Sequence, residues 1–510
     1  RHQIALPIRR WGSYLPGVGV GGAGVHWNGQ TFRFLPSDFV AKTHNEERYG
    51  PLPEEMTVQD YGVTYDELEP HFDWFEKICG ISGKAGNIRG DIVEGGNPFE
   101  GSRSREFPLG PNPNYLGAEM FYKGAREMGW DPYPIPASNA SAPYVNPYGC
   151  QMGPCNACGF CSDYGCLNYS KASPNISILP VLRQRKNFEL RTHAQVLKVN
   201  LDSDGKKATG VTYLDAQGRE VEQQADLVLL CAFSLYNVHL MLLSGIGKPY
   251  DPQTGEGTVG RNYSYQNLNR VVLFFNKDVQ ANQFIGIGGA GTTMDNLNGN
   301  QLDNAQAGFV GGGIIWARQP GAGPVRGINV PPGTPNWGTA WKQAASDAFR
   351  HSFYFEVQGA CMSYKQHYLS LDPTYKDGFG RPLLRMTFDW HDNEVKASQF
   401  LVGKAMEMSK VLNPTALSGD AKKPGEHYNI TKYQSTHTCG GAIMGSDPKT
   451  SALNRYLQSW DVHNVFAIGA NAFPQNNGYN PTGMVGALAY WSAKAIREQY
   501  LKNPGPLVQA

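Results

Sequence analysis

Five of the nine cysteines in this 510-residue chain lie close together in one stretch, and this cluster constrains the fold more than any other feature. Cys155, Cys158 and Cys161 follow one another at Cys-x2-Cys spacing, and Cys166 comes after a further gap of four residues. Thiols this close are not typical of an inert core. We therefore predict that residues 90–171, which are rich in Asn, Pro, Gly and Tyr, form a long functional loop.

Three kinds of site could explain the cysteine cluster. Structural zinc normally uses two Cys-x2-Cys pairs separated by a longer span, which this stretch lacks. Disulfides are possible in an oxidising compartment, but with Cys150 the count is odd, and neighbouring cysteines close small strained loops. An iron–sulfur cluster agrees best, because bacterial clusters use a similar Cys-x2-Cys-x2-Cys-x3-Cys run. The last gap here is one residue longer and Leu167 replaces the usual proline, so the ligand set stays open.

The charge balance and hydropathy of the chain exclude some functions. Lys and Arg number 45 against 44 Asp and Glu, without a dense basic run, which argues against nucleic acid or an anionic membrane surface as partner. No apolar stretch reaches the roughly 18 to 20 residues of a membrane helix. Sixty glycines and 34 prolines favour a loop-rich enzyme over a helical bundle. Small molecules and proteins are therefore the expected partners.

The pattern of apolar residues predicts a mixed α/β fold in two interlocked domains. Short alternating strands in residues 188–230 are typical of the middle of a dinucleotide-binding domain, to which a strand near Val465 and a helix from about Pro481 return. Strands between Asn269 and Tyr428 predict a separate antiparallel sheet for substrate binding. The predicted division is a Rossmann-like domain formed by 1–60, 170–268 and 429–510, a loop-rich cysteine region at 61–169, and a substrate domain at 269–428.

The run from Gly17 to Gly29 is dense in glycine, which lets backbone N–H groups approach a phosphate or flavin closely. Its match to the G-x-G-x-x-G fingerprint is weak, because no strand precedes it and no acid follows at the required distance. The run instead resembles the second flavin motif of the glucose-methanol-choline oxidoreductases, which bind FAD. This resemblance implies a set of flavin-contacting residues: Gly21, Gly22, Ala23, Gly24, Asn28 and Gly29.

Two C-terminal segments, Ser435-Thr-His-Thr-Cys-Gly-Gly-Ala-Ile-Met-Gly and Asn476-Asn-Gly-Tyr-Asn-Pro-Thr-Gly-Met, resemble the signature of the same family. The resemblance implies that His437 and Asn480 form the catalytic pair at the reactive edge of the flavin. Imidazole can accept a hydroxyl proton while hydride leaves for flavin N5, and an asparagine amide can donate to the same oxygen. Further cofactor contacts implied by the resemblance are Ala470, Asn471, Pro481 and Thr482, with Val196 at the adenine.

The pair His26-Trp27 makes the chain look similar to the gluconate dehydrogenase and pyranose oxidase branches, in which that histidine is bonded covalently to the flavin 8α carbon. The loop around Cys158-Gly-Phe-Cys resembles that of gluconate and fructose dehydrogenase flavoproteins, whose relatives carry a three-iron (3Fe-4S) cluster. That resemblance implies Cys158, Cys161 and Cys166 as ligands, with Cys155 as the next candidate.

The implied activity is oxidation of a hydroxyl of a sugar or sugar acid, with electrons passing from FAD through the cluster to a multihaem cytochrome c subunit. The resemblance also implies a periplasmic complex in which a small subunit carries the export signal, and membrane association only through a partner. Two alternatives stay open, an oxygen-using flavin oxidase similar to pyranose oxidase and an inactive truncated or structural subunit. The substrate is not fixed, since discrimination lies in loops without a readable code.

The resemblance covers nearly the whole chain but does not include the opening unit of the family. That unit is a strand, a glycine-rich turn and a helix that hold the FAD diphosphate. A βαβ unit needs roughly 30 residues or more, and only eight precede Arg9. We therefore expect this sequence to lack the diphosphate-binding segment.

Overall fold

The computed structural model describes residues 16–319, 321, 327–430 and 435–509, together with the backbone of residues 5–7. Its helices are α1 (Pro36–Phe39), α2 (Ala41–Tyr49), α3 (Tyr65–Cys79), α4 (Leu116–Glu127), α5 (Pro174–Ser177), α6 (Leu179–Leu182), α7 (Ser234–Ser244), α8 (Asn304–Ala307), α9 (Gly338–His351), α10 (Asp392–Lys410) and α11 (Thr482–Ala495). Its strands are β1 (Ala5–Pro7), β2 (Asn87–Ile88), β3 (Asp91–Ile92), β4 (Tyr133–Pro134), β5 (Tyr144–Val145), β6 (Gln151–Met152), β7 (Gln195–Leu201), β8 (Ala208–Leu214), β9 (Glu220–Gln224), β10 (Val228–Leu230), β11 (Asn267–Phe274), β12 (Thr292–Met294), β13 (Gly313–Ala317), β14 (Ser352–Gly359), β15 (Tyr368–Lys376), β16 (Pro382–Thr387), β17 (Ala416–Gly419) and β18 (Val465–Ala467).

A six-stranded sheet of order β17-β11-β14-β13-β12-β4 is antiparallel throughout and confirms the antiparallel sheet predicted from the sequence. Side chains alternate between its two faces. One face packs against α4 and α10 through a set of buried apolar residues: Phe121, Val271, Leu273, Phe355, Val357, Leu401 and Met408. The opposite face carries Glu356 and Gln358 of β14, so it is the polar face.

The register of this sheet fixes which side chains stand next to one another on the polar face. Gln358 pairs with Leu268 of β11, and Glu356 pairs with Arg270 of the same strand. On the other side of β14, Glu356 pairs with Trp316. These paired residues form one wall of the site described below.

The dinucleotide-binding part is built from segments far apart in sequence, as predicted. β10 and β18 form a parallel pair with Val228 opposite Val465 and Leu230 opposite Ala467. The meander β7-β8-β9 lies nearby, and α7 contributes Val238 to the same buried core. The C-terminal segment therefore returns to the strands of residues 188–230.

The N-terminus of α11 is held close to the chain that follows the glycine-rich run. A Cβ atom at Gly483 would lie 2.2 Å from the carbonyl oxygen of Phe32, so only glycine permits this approach. Further along, α11 packs against α3. α3 starts at a capping box, in which Thr64 accepts a hydrogen bond from the Glu67 N–H while the Glu67 carboxylate accepts one from the Thr64 N–H at 2.8 Å.

Each helix within the described residues is too short or too polar to cross a lipid bilayer.

Candidate active site

A cavity of about 530 Å³ lies between the polar face of the six-stranded sheet, the N-terminus of α11 and a short 3-10 helix, Gly22–Val25. Pockets of this volume are typical of sites for cofactors and small ligands. The left-handed backbone of Gly21, with φ of 97°, starts the 3-10 helix and turns the chain into the cavity wall. The glycine-rich run is thus used for a tight turn beside a ligand-sized space.

Most of the residues predicted from the sequence meet in this cavity. Those that line it are Ala23, Gly24, His26, Asn28, His437, Ala470, Asn480, Pro481 and Thr482. Those that lie outside its lining are Gly21, Gly22, Gly29, Val196 and Asn471.

Two of the residues outside the lining are engaged elsewhere. The carbonyl oxygen of Val196 accepts a hydrogen bond from Arg381 at 3.1 Å. Asn471 is buried and its side-chain oxygen accepts from Asn237 at 2.8 Å. Their predicted cofactor contacts remain predictions.

The imidazole of His437 is held by a buried glutamine that the sequence analysis missed. Nδ1 of His437 is hydrogen-bonded to Oε1 of Gln266, and the same oxygen accepts from the Ser435 hydroxyl at 3.0 Å. The Gln266 amide nitrogen donates to the Tyr479 carbonyl at 3.3 Å, which fixes the orientation of the amide. Because an amide oxygen only accepts, Nδ1 carries the proton and Nε2 keeps its lone pair.

Burial also keeps His437 in its neutral form. Burial lowers the pKa of His437 from its ordinary 6.5 to about 3. The ring is therefore neutral at pH 7, with Nε2 able to accept a proton.

A second buried glutamine orients Asn480. Nε2 of Gln358 donates to the Asn480 Oδ1 at 3.2 Å and to the Gly478 carbonyl at 2.9 Å. With its oxygen occupied, the Asn480 amide has its N–H groups left to donate to a ligand. The sequence signal for Gln358 is the alternation of polar and apolar residues at the end of β14, and it gives no hint of the partner.

The first turn of α11 closes the cavity on one side. Pro481 precedes the helix, and within the described residues no side chain caps its N-terminus. The first N–H groups of a helix lack intrahelical partners and carry partial positive charge. They fit the edge of a flavin ring on which negative charge develops, and together with the turn at Ala23 and Gly24 they make the cavity suitable for FAD.

The turn that carries His26 is connected to the cysteine loop by hydrogen bonds. The buried ammonium of Lys171 donates to the carbonyls of Trp27, Cys161 and Tyr164, the last two at 2.7 and 2.9 Å. The Asp163 N–H donates to the His26 carbonyl at 2.8 Å. The loop that holds the cysteines is therefore part of the cavity structure.

All nine cysteines have free thiols, and those of the cluster differ in exposure. Cys158 is exposed, Cys161 is buried, and Cys155 and Cys166 are half-buried. Burial, and the nearby thiols of Cys161, Cys166 and Cys158, raise the pKa of Cys155 to about 11. Within the described residues no three His, Cys, Asp or Glu side chains converge to hold a metal ion.

Two N–H groups nevertheless point at cysteine sulfurs. The Asn139 side chain donates to Cys161 Sγ at 3.7 Å, and the Lys171 backbone donates to Cys166 Sγ at 3.4 Å. N–H donors of this kind are among the features that tune iron–sulfur sites. The cysteines thus have donors around them without forming a complete ligand set.

Comparison with known proteins agrees with this geometry. Models of the GMC oxidoreductase family match residues 110–267 and 364–489. The chain is 56% identical to a gluconate 2-dehydrogenase flavoprotein from Pantoea cypripedii, over 100% of this chain and 83% of that protein. It is 22% identical to the fructose dehydrogenase large subunit of Gluconobacter japonicus, over 95% of this chain and 81% of that protein.

A solved structure shares the fold at low sequence identity. Pyridoxine 4-oxidase from Mesorbium loti superposes with a TM-score of 0.54 and 14% identity, over 98% of this chain and 89% of that one. The matched family models, the 56% identical relative and the cavity that joins His437, Asn480 and the glycine-rich turn lead to one conclusion. The chain belongs to the GMC oxidoreductases, FAD-dependent enzymes that act on CH–OH donors.

Proposed function

We propose that this chain oxidises a hydroxyl group of a sugar acid, with gluconate as the first substrate to test. The observation that carries the proposal is the neutral His437, whose Nε2 is kept free by Gln266 in the cavity that Asn480 also lines. The substrate class is supported by the 56% identical relative, which is named a gluconate 2-dehydrogenase flavoprotein.

The side chains in the cavity have distinct tasks in such a reaction. FAD, when bound, supplies the chemistry of hydride acceptance. Nε2 of His437 accepts the proton of the substrate hydroxyl, and the Asn480 amide donates to the same oxygen and orients it. The N–H groups at the start of α11 stabilise negative charge at the far edge of the cavity.

The test is anaerobic reduction of the bound flavin by gluconate in wild type and in His437→Ala. General-base catalysis contributes about 10²- to 10⁴-fold, so the rate of bleaching should fall by that factor while the absorbance of the oxidised flavin stays normal. His427→Ala is the control, because its imidazole is mostly exposed and bonded to Asp389 rather than directed into the cavity. A His437→Ala protein that binds flavin and is reduced at the wild-type rate would refute the assignment.

We also propose that His26 is the point of covalent flavin attachment. His26 lines the cavity, and its ring makes no hydrogen bond with the described residues, which leaves a ring nitrogen for the bond. Acid precipitation of wild type should carry the yellow colour into the pellet, whereas His26→Ala should release it into the supernatant. Release of flavin from the wild-type protein would show that the cofactor is not attached.

We further propose that the cysteine loop binds an iron–sulfur cluster and that electrons pass to a cytochrome c subunit in a periplasmic complex. The Cys-x2-Cys spacing and the N–H donors at Cys161 and Cys166 support the cluster, although the thiols as placed do not converge. Iron and acid-labile sulfide should be present in wild type and absent from Cys158→Ser. Cys150→Ser, outside the predicted ligand set, is the control.

The proposed cytochrome c partner is tested by comparing two electron acceptors, cytochrome c and oxygen. With gluconate present, the purified complex should reduce cytochrome c faster than it consumes oxygen. Membrane association would be through that partner, with the export signal on a small subunit.

One observation favours a different enzyme of the same family, an oxidase that passes electrons to oxygen. In the described part of the chain the cysteines form no metal-binding group, as expected if they serve only packing. Iron-free protein that produces hydrogen peroxide on turnover would establish this alternative.

A further inference from the structure

Three charged side chains lie side by side on the sheet wall of the cavity. Arg270 of β11 and Arg318, just beyond β13, flank the single carboxylate of Glu356 on β14. Nε and Nη2 of Arg270 donate to Oε1 of Glu356 at 3.3 and 3.0 Å. Nη2 of Arg318 lies 3.7 Å from the other carboxylate oxygen. One carboxylate therefore faces two guanidinium groups.

The two arginines differ in how far their donors are already used. The side chain of Arg318 is only 7% exposed, and its Nη1 donates to the Ser162 hydroxyl at 2.8 Å and the Gly288 carbonyl at 2.9 Å. The side chain of Arg270 is 49% exposed, and its Nη1 makes no hydrogen bond with the described residues. The guanidinium of Arg318 is thus held by contacts within the wall, whereas that of Arg270, which also lines the cavity, has a free Nη1 donor.

A second carboxylate near Arg270 does not occupy its guanidinium. Asp420 accepts a hydrogen bond from the backbone N–H of Arg270 rather than from its guanidinium. Burial raises the pKa of Asp420, and the nearby ammonium of Lys422 opposes that rise. Asp163 of the cavity lining and Glu356 balance the two arginines in charge, so it is the free Nη1 of Arg270, rather than a net charge, that can hold an anionic ligand.

Arg270 lies close to Asn480, because both are bonded to side chains on the same face of β14. Gln358, which bonds Asn480, and Glu356, which bonds Arg270, lie two residues apart on the same face of β14. Two residues of a strand span about 7 Å, and hydrogen bonds of about 3 Å from Asn480 and from Arg270 leave a gap that a hydroxyl and a carboxylate on neighbouring carbons can bridge. A ligand with one hydroxyl at Asn480 can therefore place a charged end at Arg270.

We propose that Arg270 binds the carboxylate of a sugar acid and makes the cavity selective for such acids over uncharged polyols. The inference rests on the proposed function, since it names the residue that would select its substrate class. A guanidinium pairs with a carboxylate through N–H donors in one plane, and Glu356 holds the Arg270 fork in place while leaving Nη1 free. Glu356 and Arg318 are positioning residues in this arrangement.

The experiment measures binding separately from turnover. Dissociation constants of gluconate and of its uncharged counterpart glucitol are determined by calorimetry with the chemically reduced holoenzyme, which cannot oxidise either compound. Wild type is compared with Arg270→Gln, with the charge-preserving Arg270→Lys, and with Arg219→Gln. Arg219 is a matched control because it is 73% exposed and paired with Asp215, far from the cavity lining.

A lost hydrogen bond to a charged group is worth roughly a 10- to 100-fold change in affinity. Arg270→Gln should therefore weaken gluconate binding by about that factor and leave the dissociation constant of glucitol within about twofold. Arg270→Lys should lose less affinity for gluconate, and Arg219→Gln should keep the wild-type affinity. Equal weakening of both ligands, or an unchanged preference for gluconate, would overturn the proposal. Turnover by wild type is read separately: a chain that binds gluconate through Arg270 without oxidising it would refute the proposed reaction while leaving the binding site standing.

Discussion

The imidazole of His437 has two nitrogens, and Gln266 decides which of them faces the substrate. The amide oxygen of Gln266 accepts a hydrogen bond from the Nδ1–H group, while the Ser435 hydroxyl and the Tyr479 carbonyl fix the amide from both ends. Gln358 does the same for Asn480. The orientation of the predicted catalytic pair is thus set by two buried amides, Gln266 and Gln358.

Replacing Gln266 with Leu should lower kcat about tenfold or more with a smaller effect on KM, because Nδ1 would lose the acceptor that fixes the tautomer. Steady-state kinetics with flavin content measured in parallel would show it. Gln217→Leu, at an exposed turn, is the control. A change in KM alone would assign Gln266 to binding rather than to orientation of His437.

Gln266→Glu gives a pH test of the same contact. In wild type the pKa of His437 is about 3, so its base form is fully present above about pH 5 and this group should give a flat rate profile there. A carboxylate at Gln266 favours the imidazolium and raises that pKa. The variant should therefore lose activity as pH falls through the raised value, and an unchanged profile would contradict the contact.

At the scale of elements, the site depends on where α11 begins. Its first turn meets the cavity only because Gly483 lets the helix approach the Phe32 carbonyl, where a Cβ would lie at 2.2 Å. Moving the helix outward by even a few tenths of an ångström would shift Asn480, Pro481 and Thr482 together.

Gly483→Ala should lower both the melting temperature and the flavin content, since backbone must move to accommodate the new methyl group. Gly403→Ala is the matched control, because Gly403 lies inside α10 and an added Cβ there meets nothing within 4 Å. That control should be neutral or stabilised by about 0.5–1 kcal/mol. Differential scanning fluorimetry and flavin absorbance measure both, and equal behaviour of the two variants would contradict the packing argument.

The sequence allowed the prediction of elements and residues whose signals are local. The strands between Asn269 and Tyr428, the strand near Val465, and the lining residues His437 and Asn480 were all predicted, because motif and periodicity lie within a few positions. Gln266 and Gln358 could not be found in this way. Their roles follow from strand register and from contacts across 171 and 122 positions of sequence, which no local pattern encodes.

At the scale of the whole molecule, a buried ion network joins three separated segments. Glu76 of α3 accepts from Nε and Nη2 of Arg33 at 2.7 and 3.0 Å, and a second arginine, Arg103, bonds the same carboxylate. All three side chains are at most 4% exposed. The chain that follows the glycine-rich run is therefore tied to α3 and to the loop that leads towards the cysteines.

Glu76→Gln should destabilise the protein by up to about 3–5 kcal/mol, because it removes the carboxylate that two buried guanidinium groups share and leaves Arg33 paired with Glu69 and Arg103 with Glu100. Equilibrium unfolding in urea gives the value. Glu256→Gln, whose partner Lys248 is 65% exposed, should change the free energy of unfolding little. Equal small effects would mean that the buried network contributes no more than a surface pair.

The ammonium of Lys171 bears on how the enzyme is assembled in the cell. A single nitrogen bonds a carbonyl of the turn that carries His26 and two carbonyls of the cysteine loop. Neither segment can reach its final shape until the other has arrived, since a buried ammonium with an unmet donor is costly. Folding of the two segments is thereby coupled, and a change that displaces one of them leaves Lys171 with unmet donors that also destabilise the other.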